Sequence, residues 1–396
     1  MNQAAITNMD KLPTPCYVVD EAKIEQNLQI LKGVMDRTGA KILLAQKAFS
    51  TYALYPLVGK YLCGATASGL YEARLGMEEM VLPLAKEGKK IENHVFSPAF
   101  REEDIDEILK YSGHIVFNSL HQLKVFGKKA KDAGKSVGLR VNPECSTQEE
   151  HAIYDPCAPG SRLGVTKAQL VDGLLKEKED LFSYLDGLHF HTLCEQDSDA
   201  LEKTLDAFVE KFGEYLPSMK WVNFGGGHHI TREDYDIDRL EHCIKKMQDQ
   251  FGLTVYLEPG EAVALNAGYL VTKVLELGHN DIDIAILDTS AACHMPDVLE
   301  MPYRPPLKDS GLAGEKEFTY RLGGPTCLAG DIIGDYSFDH KLTYGEKLYF
   351  QDMAIYSMVK NNTFNGMPLP TIAVLKKDGS CQVVRQFGYE DFKERL

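Results

Sequence analysis

A lysine, a histidine, a glycine triplet and a glutamate each follow a short apolar run in the first two thirds of the chain. The first run, Ile42 to Ala45, is too short for a helix and reads as a buried parallel strand, with Lys47 just past its carboxyl end. A lysine there is desolvated, which favours its neutral amine, and a neutral amine condenses with a carbonyl to form a Schiff base. In Asn223-Phe-Gly-Gly-Gly227, the residues Gly225, Gly226 and Gly227 offer backbone N–H groups to a phosphate with no Cβ in the way. Glu258, in Leu-Glu-Pro-Gly260, is placed to keep a pyridine nitrogen protonated and so make the ring an electron sink. His191 could stack on an aromatic cofactor. Later, Gly323-Gly-Pro-Thr-Cys-Leu-Ala-Gly-Asp331 presents a thiol, Cys327, and a carboxylate, while Tyr356 ends a strand with a phenol able to donate to a phosphate. Singly, each has a plainer reading: a loop lysine, a turn, a salt-bridged glutamate, a structural histidine, an inert thiol, a core tyrosine. Their joint order is the argument.

Elements must exist to position these groups. Pro13-Thr-Pro-Cys-Tyr-Val-Val-Asp20 reads as a strand, and Asp20 caps a helix from about Glu21 to Asp36. After Ile42–Ala45 come β-rich runs at Tyr61–Ala65, Val95–Ser97, Ile115–Phe117, Val137–Val141, Leu185–His191, Trp221–Phe224 and Val255–Leu257. Polar helical stretches separate them, such as Tyr71–Met80, Glu102–Tyr111 and Asp199–Phe212. Eight βα repeats predict an α/β fold, a (β/α)8 TIM barrel over residues 37–264, ahead of a doubly wound sheet. A barrel's chemistry lies at the carboxyl ends of its strands, and Lys47, Ser68, Pro98, Asn118, Arg140, Asn142, His191, Gly225 and Glu258 fall at those ends. Beyond Leu265 the runs Tyr269–Leu275, Ile282–Leu287, Phe318–Leu322, Lys347–Phe350 and Thr371–Leu375 lie between Gly, Pro and Asp turns. They predict a second, mainly antiparallel β-domain of residues 1–36 and 265–396, joined by the early strand at Cys16–Val19.

Composition narrows the classes. The chain has 396 residues and 44% hydrophobic content, enough for two domains. Neither a bilayer-length apolar run nor a signal-like N-terminus is present, so a cytoplasmic protein without membrane association is expected. Nine cysteines without a CxxC pair suggest neither a zinc ribbon nor a disulfide framework, and no metal is expected. A net charge of -15 argues against nucleic-acid partners and suits a cationic substrate.

The ordered set resembles the fold-type III pyridoxal-phosphate decarboxylases, which include the ornithine, arginine and diaminopimelate enzymes and, more distantly, alanine racemase. Within that group, Leu-Leu-Ala-Gln-Lys-Ala-Phe49, Gly-Leu-His-Phe-His-Thr-Leu-Cys-Glu195, Glu-Pro-Gly-Glu261, Cys-His-Met-Pro-Asp297 and Pro-Thr-Cys-Leu-Ala-Gly-Asp331 resemble the branch acting on carboxylated triamines such as carboxynorspermidine and carboxyspermidine. The resemblance implies pyridoxal 5'-phosphate bound covalently to Lys47, stacked by His191 and paired at its ring nitrogen with Glu258. Gly225 to Gly227 and Tyr356 would bind its phosphate. Cys327 would enter from a second subunit and govern reprotonation of the reacting carbon, which implies a homodimer with shared sites. Two departures from the ornithine enzymes stand out. Glu261 replaces the Arg that there helps to bind phosphate, and Leu328 replaces an acidic residue that there holds the substrate's far amine. Recognition of the triamine's cationic amines is therefore expected at Glu261 and Asp297, with Glu300 and Asp331 as lesser candidates. Decarboxylation of diaminopimelate, arginine or lysine is the nearest rival, and a non-catalytic cofactor carrier is a rival of another class. The carrier would be expected to lack Lys47 or the Cys327 loop.

Overall fold

The computed structural model describes residues 3–148, 155–176 and 180–396. The chain forms two compact units, one of Met1–Gln26 with Ala264–Leu396 and one of Asn27–Val263. The dividing point after Gln26 falls within the helix Glu21–Thr38. That helix starts where expected: the Asp20 carboxylate accepts from the N–H groups of Ala22 and Lys23, at 3.0 and 3.2 Å. Its Ile24, Leu28 and Leu31 recur at helical spacing and are fully buried.

Strand β1 is Cys16–Asp20. Among the described residues, eight parallel strands then close a barrel. They are β2 (Lys41–Ala45), β3 (Gly64–Ala67), β4 (Glu92–Phe96), β5 (His114–Phe117), β6 (Ser136–Arg140), β7 (Gly187–His189), β8 (Trp221–Asn223) and β9 (Thr254–Leu257). Closure comes from β2 against β9, with Lys41 opposite Tyr256 and Ile42 opposite Leu257. All eight runs become strands, with two informative shifts in their bounds. The run expected at Tyr61–Ala65 is displaced to β3, because Tyr61 ends the helix Tyr55–Tyr61. Gly64 can begin β3 because it has φ +155° and no Cβ, which would lie 1.8 Å from the Glu92 carbonyl oxygen. The run expected at Val95–Ser97 starts earlier, at Glu92, because polar residues in β4 hide its strand character.

Those polar residues seal the amino-terminal end of the barrel, away from the strand ends that carry the candidate chemistry. Glu92 binds Lys41 and accepts from Tyr256 at 3.0 Å and from His94 at 2.9 Å. The His94 and His114 rings stack at 3.9 Å. Trp221 fills the space beside them, where a Cβ at Gly138 or Gly187 would lie 2.4 or 2.1 Å from its indole.

The other unit is a sheet of β10 (Gly268–Asn280), β11 (Ile282–Leu287), β12 (Phe318–Gly323), β13 (Ile332–Phe338), β14 (Lys347–Gln351), β15 (Thr371–Leu375) and β16 (Cys381–Arg385), together with β1. Its order is β13-β12-β11-β10-β1-β15-β16, with β14 also on β10. The N-terminal strand does join it, antiparallel to β10 and parallel to β15. Apart from that pair and β11/β12, the pairings are antiparallel. Strands β13 and β16 were not apparent in the sequence; Gly334-Asp335 breaks the apolar run of the first, and the second is partly exposed. Among the described residues, no helix is long and apolar enough to cross a membrane.

Candidate active site at the barrel mouth

Lys47 lies in the turn immediately after β2. Its neighbour Gln46 is buried and fixes that turn, accepting from the Tyr55 hydroxyl at 3.0 Å, while its backbone N–H donates to Thr66 O at 3.2 Å. Lys47 is exposed as a residue, while its amine is largely enclosed by protein. That enclosure, reinforced by the Arg140 charge, lowers its pKa against the opposing pull of Glu258 and Cys194. A larger fraction of the amine is then neutral and nucleophilic near pH 7.

Glu258 follows β9 and is buried. Burial disfavours its charge, but hydrogen bonds from His189 Nε2 (3.2 Å) and Asn223 Nδ2 (2.9 Å) outweigh it and hold its pKa below the usual carboxylate range. The pKa of His189 is itself lowered, burial outweighing Glu258, so the imidazole is neutral near pH 7. It therefore stabilises Glu258 as a hydrogen-bond donor rather than as a cation. Each carboxylate oxygen accepts one such bond and keeps acceptor capacity for a ring N–H.

His191 lies just beyond β7, two residues after His189, with Phe190 between them packed on Phe208 and Phe224 at 4.6 and 5.3 Å. Its Nδ1 accepts from the Gly226 N–H at 2.8 Å, which puts the proton of the neutral ring on Nε2. Burial, with Lys47 and Arg140 next in effect, lowers its pKa well below the ordinary value. A neutral ring held in one orientation is suited to face contact with another aromatic system.

The glycine run serves the protein before any ligand. Gly225 N–H donates to Asn223 Oδ1 at 2.8 Å, and Gly226 N–H is taken by His191. A Cβ would lie 2.7 Å from His191 Cβ at Gly225, 2.4 Å from Glu258 O at Gly226 and 2.0 Å from Leu193 O at Gly227. The triplet thus lets the loops after β7, β8 and β9 close on one another. Gly227 also has φ +82°. Gly227→Ala is therefore expected to cost roughly 2–4 kcal/mol in chemical denaturation, combining backbone strain with overpacking. Unchanged stability would contradict this account.

Arg140 had no assigned role in the sequence, although its position at a strand end was visible. It is buried, donates to His191 O at 3.1 Å and lies 4.7 Å from the Phe96 ring centre. Burial pulls its pKa down to about 10, which leaves it charged at pH 7. Its partner in the missed set, His189, was signalled by the His-Phe-His spacing that sets it two residues before His191.

The barrel unit thus gathers Lys47, His191, Gly225 to Gly227, Glu258 and Glu261 at the carboxyl ends of its strands. Glu261 opens the short helix Glu261–Ala264, with its Oε2 3.4 Å from His229 Nε2. The remaining candidates belong to the sheet unit. Cys327 is exposed on its loop, where its N–H donates to Asn365 Oδ1 at 2.7 Å. Tyr356 has φ +52°, in the left-handed region. Lys360 bridges Asp297 and Glu300. Asp331 is buried, and its carboxylate accepts from Ser290 Oγ, the Ala292 N–H and Thr326 Oγ1. It ties the Cys327 loop to the segment after β11.

An enclosed amine, a carboxylate ready for a ring N–H and a glycine-lined loop match an aldehyde-bearing pyridine with an anionic substituent. Known proteins agree. The family model for the pyridoxal-dependent decarboxylase, C-terminal sheet domain, matches residues 16–354. The chain is 44% identical to the carboxynorspermidine/carboxyspermidine decarboxylase of Campylobacter jejuni, over 98% of this chain and 99% of that one. It is 40% identical to the carboxyaminopropylagmatine decarboxylase of Synechocystis, over 98% and 96%. The crystal structure of the Campylobacter jejuni carboxynorspermidine decarboxylase complexed with norspermidine superimposes with a TM-score of 0.87 at 42% identity, covering 97% of this chain and all of that one. By sequence, by fold and by the chemistry at its barrel mouth, this chain belongs to the pyridoxal-dependent decarboxylases.

Proposed function

We propose that this protein removes CO2 from carboxynorspermidine and carboxyspermidine, yielding norspermidine and spermidine. The observation that carries the reading is the 44% identity, over nearly the whole of both chains, to an enzyme named for those two substrates. Pyridoxal 5'-phosphate is the cofactor of the family, and the residues of the barrel mouth fit it. When bound, it supplies the electron sink for the carbon that loses CO2.

The chain's own residues have these roles. Lys47 would hold the cofactor at its aldehyde through a neutral amine and would give way to the substrate amine. Glu258 would hold the ring nitrogen's proton. His191 would cover the ring, and Gly225 to Gly227 and Tyr356 would bind the phosphate. With the first two N–H groups of the run engaged within the protein, the triplet's contribution is chiefly the close approach that glycine permits. Cys327, exposed on its loop, would reach the site of a second subunit and govern reprotonation of the reacting carbon, on the reading that the protein is a cytoplasmic homodimer.

Among the acidic candidates, Glu261 is the foremost amine contact. Asp297 and Glu300 already share Lys360, so an incoming ammonium must displace that lysine. Asp331 is committed to its own loop and is a structural residue. A second reading, on the strength of the Synechocystis relative, is decarboxylation of carboxyaminopropylagmatine.

A CO2-release assay decides between them, with both carboxylated triamines, carboxyaminopropylagmatine, diaminopimelate, arginine and ornithine as substrates. Turnover confined to the carboxylated triamines is expected. Preferential turnover of carboxyaminopropylagmatine would establish the second reading, and turnover of diaminopimelate or arginine alone would overturn both. Glu261→Gln should raise the KM for carboxynorspermidine by roughly 10- to 100-fold, the equivalent of one charge-assisted hydrogen bond. An unchanged KM would remove Glu261 from the substrate site.

A further inference from the structure

The loops after β7, β8 and β9 bring together Glu195, His229 and Glu261. Their ligand atoms lie within 4.8 Å of one another. His229 is 9% exposed, and its Nε2 is 3.4 Å from Glu261 Oε2. Among the described residues this buried nitrogen has no hydrogen-bond partner. Glu195 is held at φ +54° in a loop pinned to its neighbour: Gln196 N–H donates to Gly227 O at 3.0 Å, and His229 N–H donates to Gln196 O at 3.2 Å. The trio adjoins the chemistry. Cys194, one residue before Glu195, and Glu258, three before Glu261, both act electrostatically on Lys47.

We propose that Glu195 and Glu261 together receive one protonated amine of the triamine, and that His229, held between them, gives up its proton as the amine arrives. The inference rests on the decarboxylase reading above and adds to it a second carboxylate and a proton linkage. Charge balance favours the exchange. Two carboxylates with a protonated imidazole carry a net charge of about −1, and so do two carboxylates with an ammonium and a neutral imidazole. The contact with Glu261 leaves the imidazole nitrogen without a hydrogen-bond partner, and a tetrahedral ammonium with several donors can serve both carboxylates.

The groups facing His229 set the direction of the pH dependence. Burial opposes its charge, Glu261 and Glu195 favour it, and Arg232 opposes it while pairing with Asp197 at 3.0 Å and with Asp234. The carboxylates prevail, and the pKa is raised. Below that pKa the proton competes with the amine, so affinity rises as pH rises through it, while an isolated alkylammonium loses its proton only near about pH 10. By linkage, binding releases a proton.

The test is calorimetric titration of the cofactor-loaded enzyme with norspermidine, in two buffers of different ionisation heat, together with KM and kcat profiles against pH. The wild type should release a fraction of a proton on binding, with an affinity gain of up to about tenfold per pH unit below the His229 pKa. His229→Gln should lose both the release and the slope. Glu195→Gln should weaken norspermidine about tenfold or more, with the loss falling on KM more than on kcat, and Glu195→Asp should recover part of it. Unchanged affinity in Glu195→Gln, or undiminished proton release in His229→Gln, overturns the proposal while triamine turnover continues. Failure of the wild type to turn over any carboxylated triamine overturns the decarboxylase reading, and this proposal with it. Dialysis against a chelator should leave norspermidine affinity unchanged; a loss would assign the trio to a divalent cation instead.

Discussion

Lys47→Ala is expected to lower kcat by about 10³-fold or more, since it removes both the amine that attaches the cofactor and a group able to transfer protons beside it. The structure makes this a clean experiment. The turn is held by Gln46 through Tyr55 and Thr66, not by the lysine side chain, so the variant should fold and melt as the wild type does. Borohydride reduction followed by peptide mass spectrometry should find the cofactor on Lys47 in the wild type and on no lysine in the variant. Attachment of cofactor to the apo-protein should also speed up with rising pH, because the neutral amine is the nucleophile. Its midpoint should fall below the ordinary lysine value of 10.5, since enclosure and Arg140 disfavour the ammonium. Retained activity in Lys47→Ala, or labelling at another lysine, would move the reacting amine elsewhere and undo the reading of the barrel mouth.

Glu258→Gln carries the second large effect, a loss of about 10² to 10³ in kcat, the usual consequence of removing one preorganised electrostatic group from a reacting centre. The carboxylate is buried and yet ionised, because His189 and Asn223 donate to it. A neutral amide keeps the shape but cannot hold a proton on a ring nitrogen, so the electron sink weakens while cofactor binding survives. The diagnostic result is slow turnover with retained absorbance of the bound cofactor. The pH sign follows from the lowered pKa. Glu258 contributes to stability above the ordinary carboxylate value of 4.5, and that contribution is lost as pH falls below it toward the lowered value. Glu258→Gln should therefore flatten the acid limb of the stability profile. If kcat is unchanged, another group pairs with the ring nitrogen.

Much of this protein could be read from its residue order. Strands buried on both faces are written as short apolar runs, and their carboxyl ends are marked by residues that have no place in a core, so the strand-end positions of Lys47, His191, Gly225 and Glu258 could be read from the residue order. The strand Cys16–Asp20 was likewise legible, as was its return to the second domain. Polar strands were hidden. Glu92, Asn93 and His94 disguise the start of β4, because their burial depends on partners from β2, β5 and β9 that are far away in sequence. The same limit applies at the site. That Glu258 stays ionised while buried, that Asp331 is already satisfied, and that Lys360 already holds Asp297 and Glu300 all depend on hydrogen bonds and ion pairs between distant segments. Residue type and spacing determined which chemistry the chain carries. Only the tertiary structure decided which carboxylates are committed to the protein and which face a histidine across the barrel mouth, because charge state and availability are set by neighbours in space.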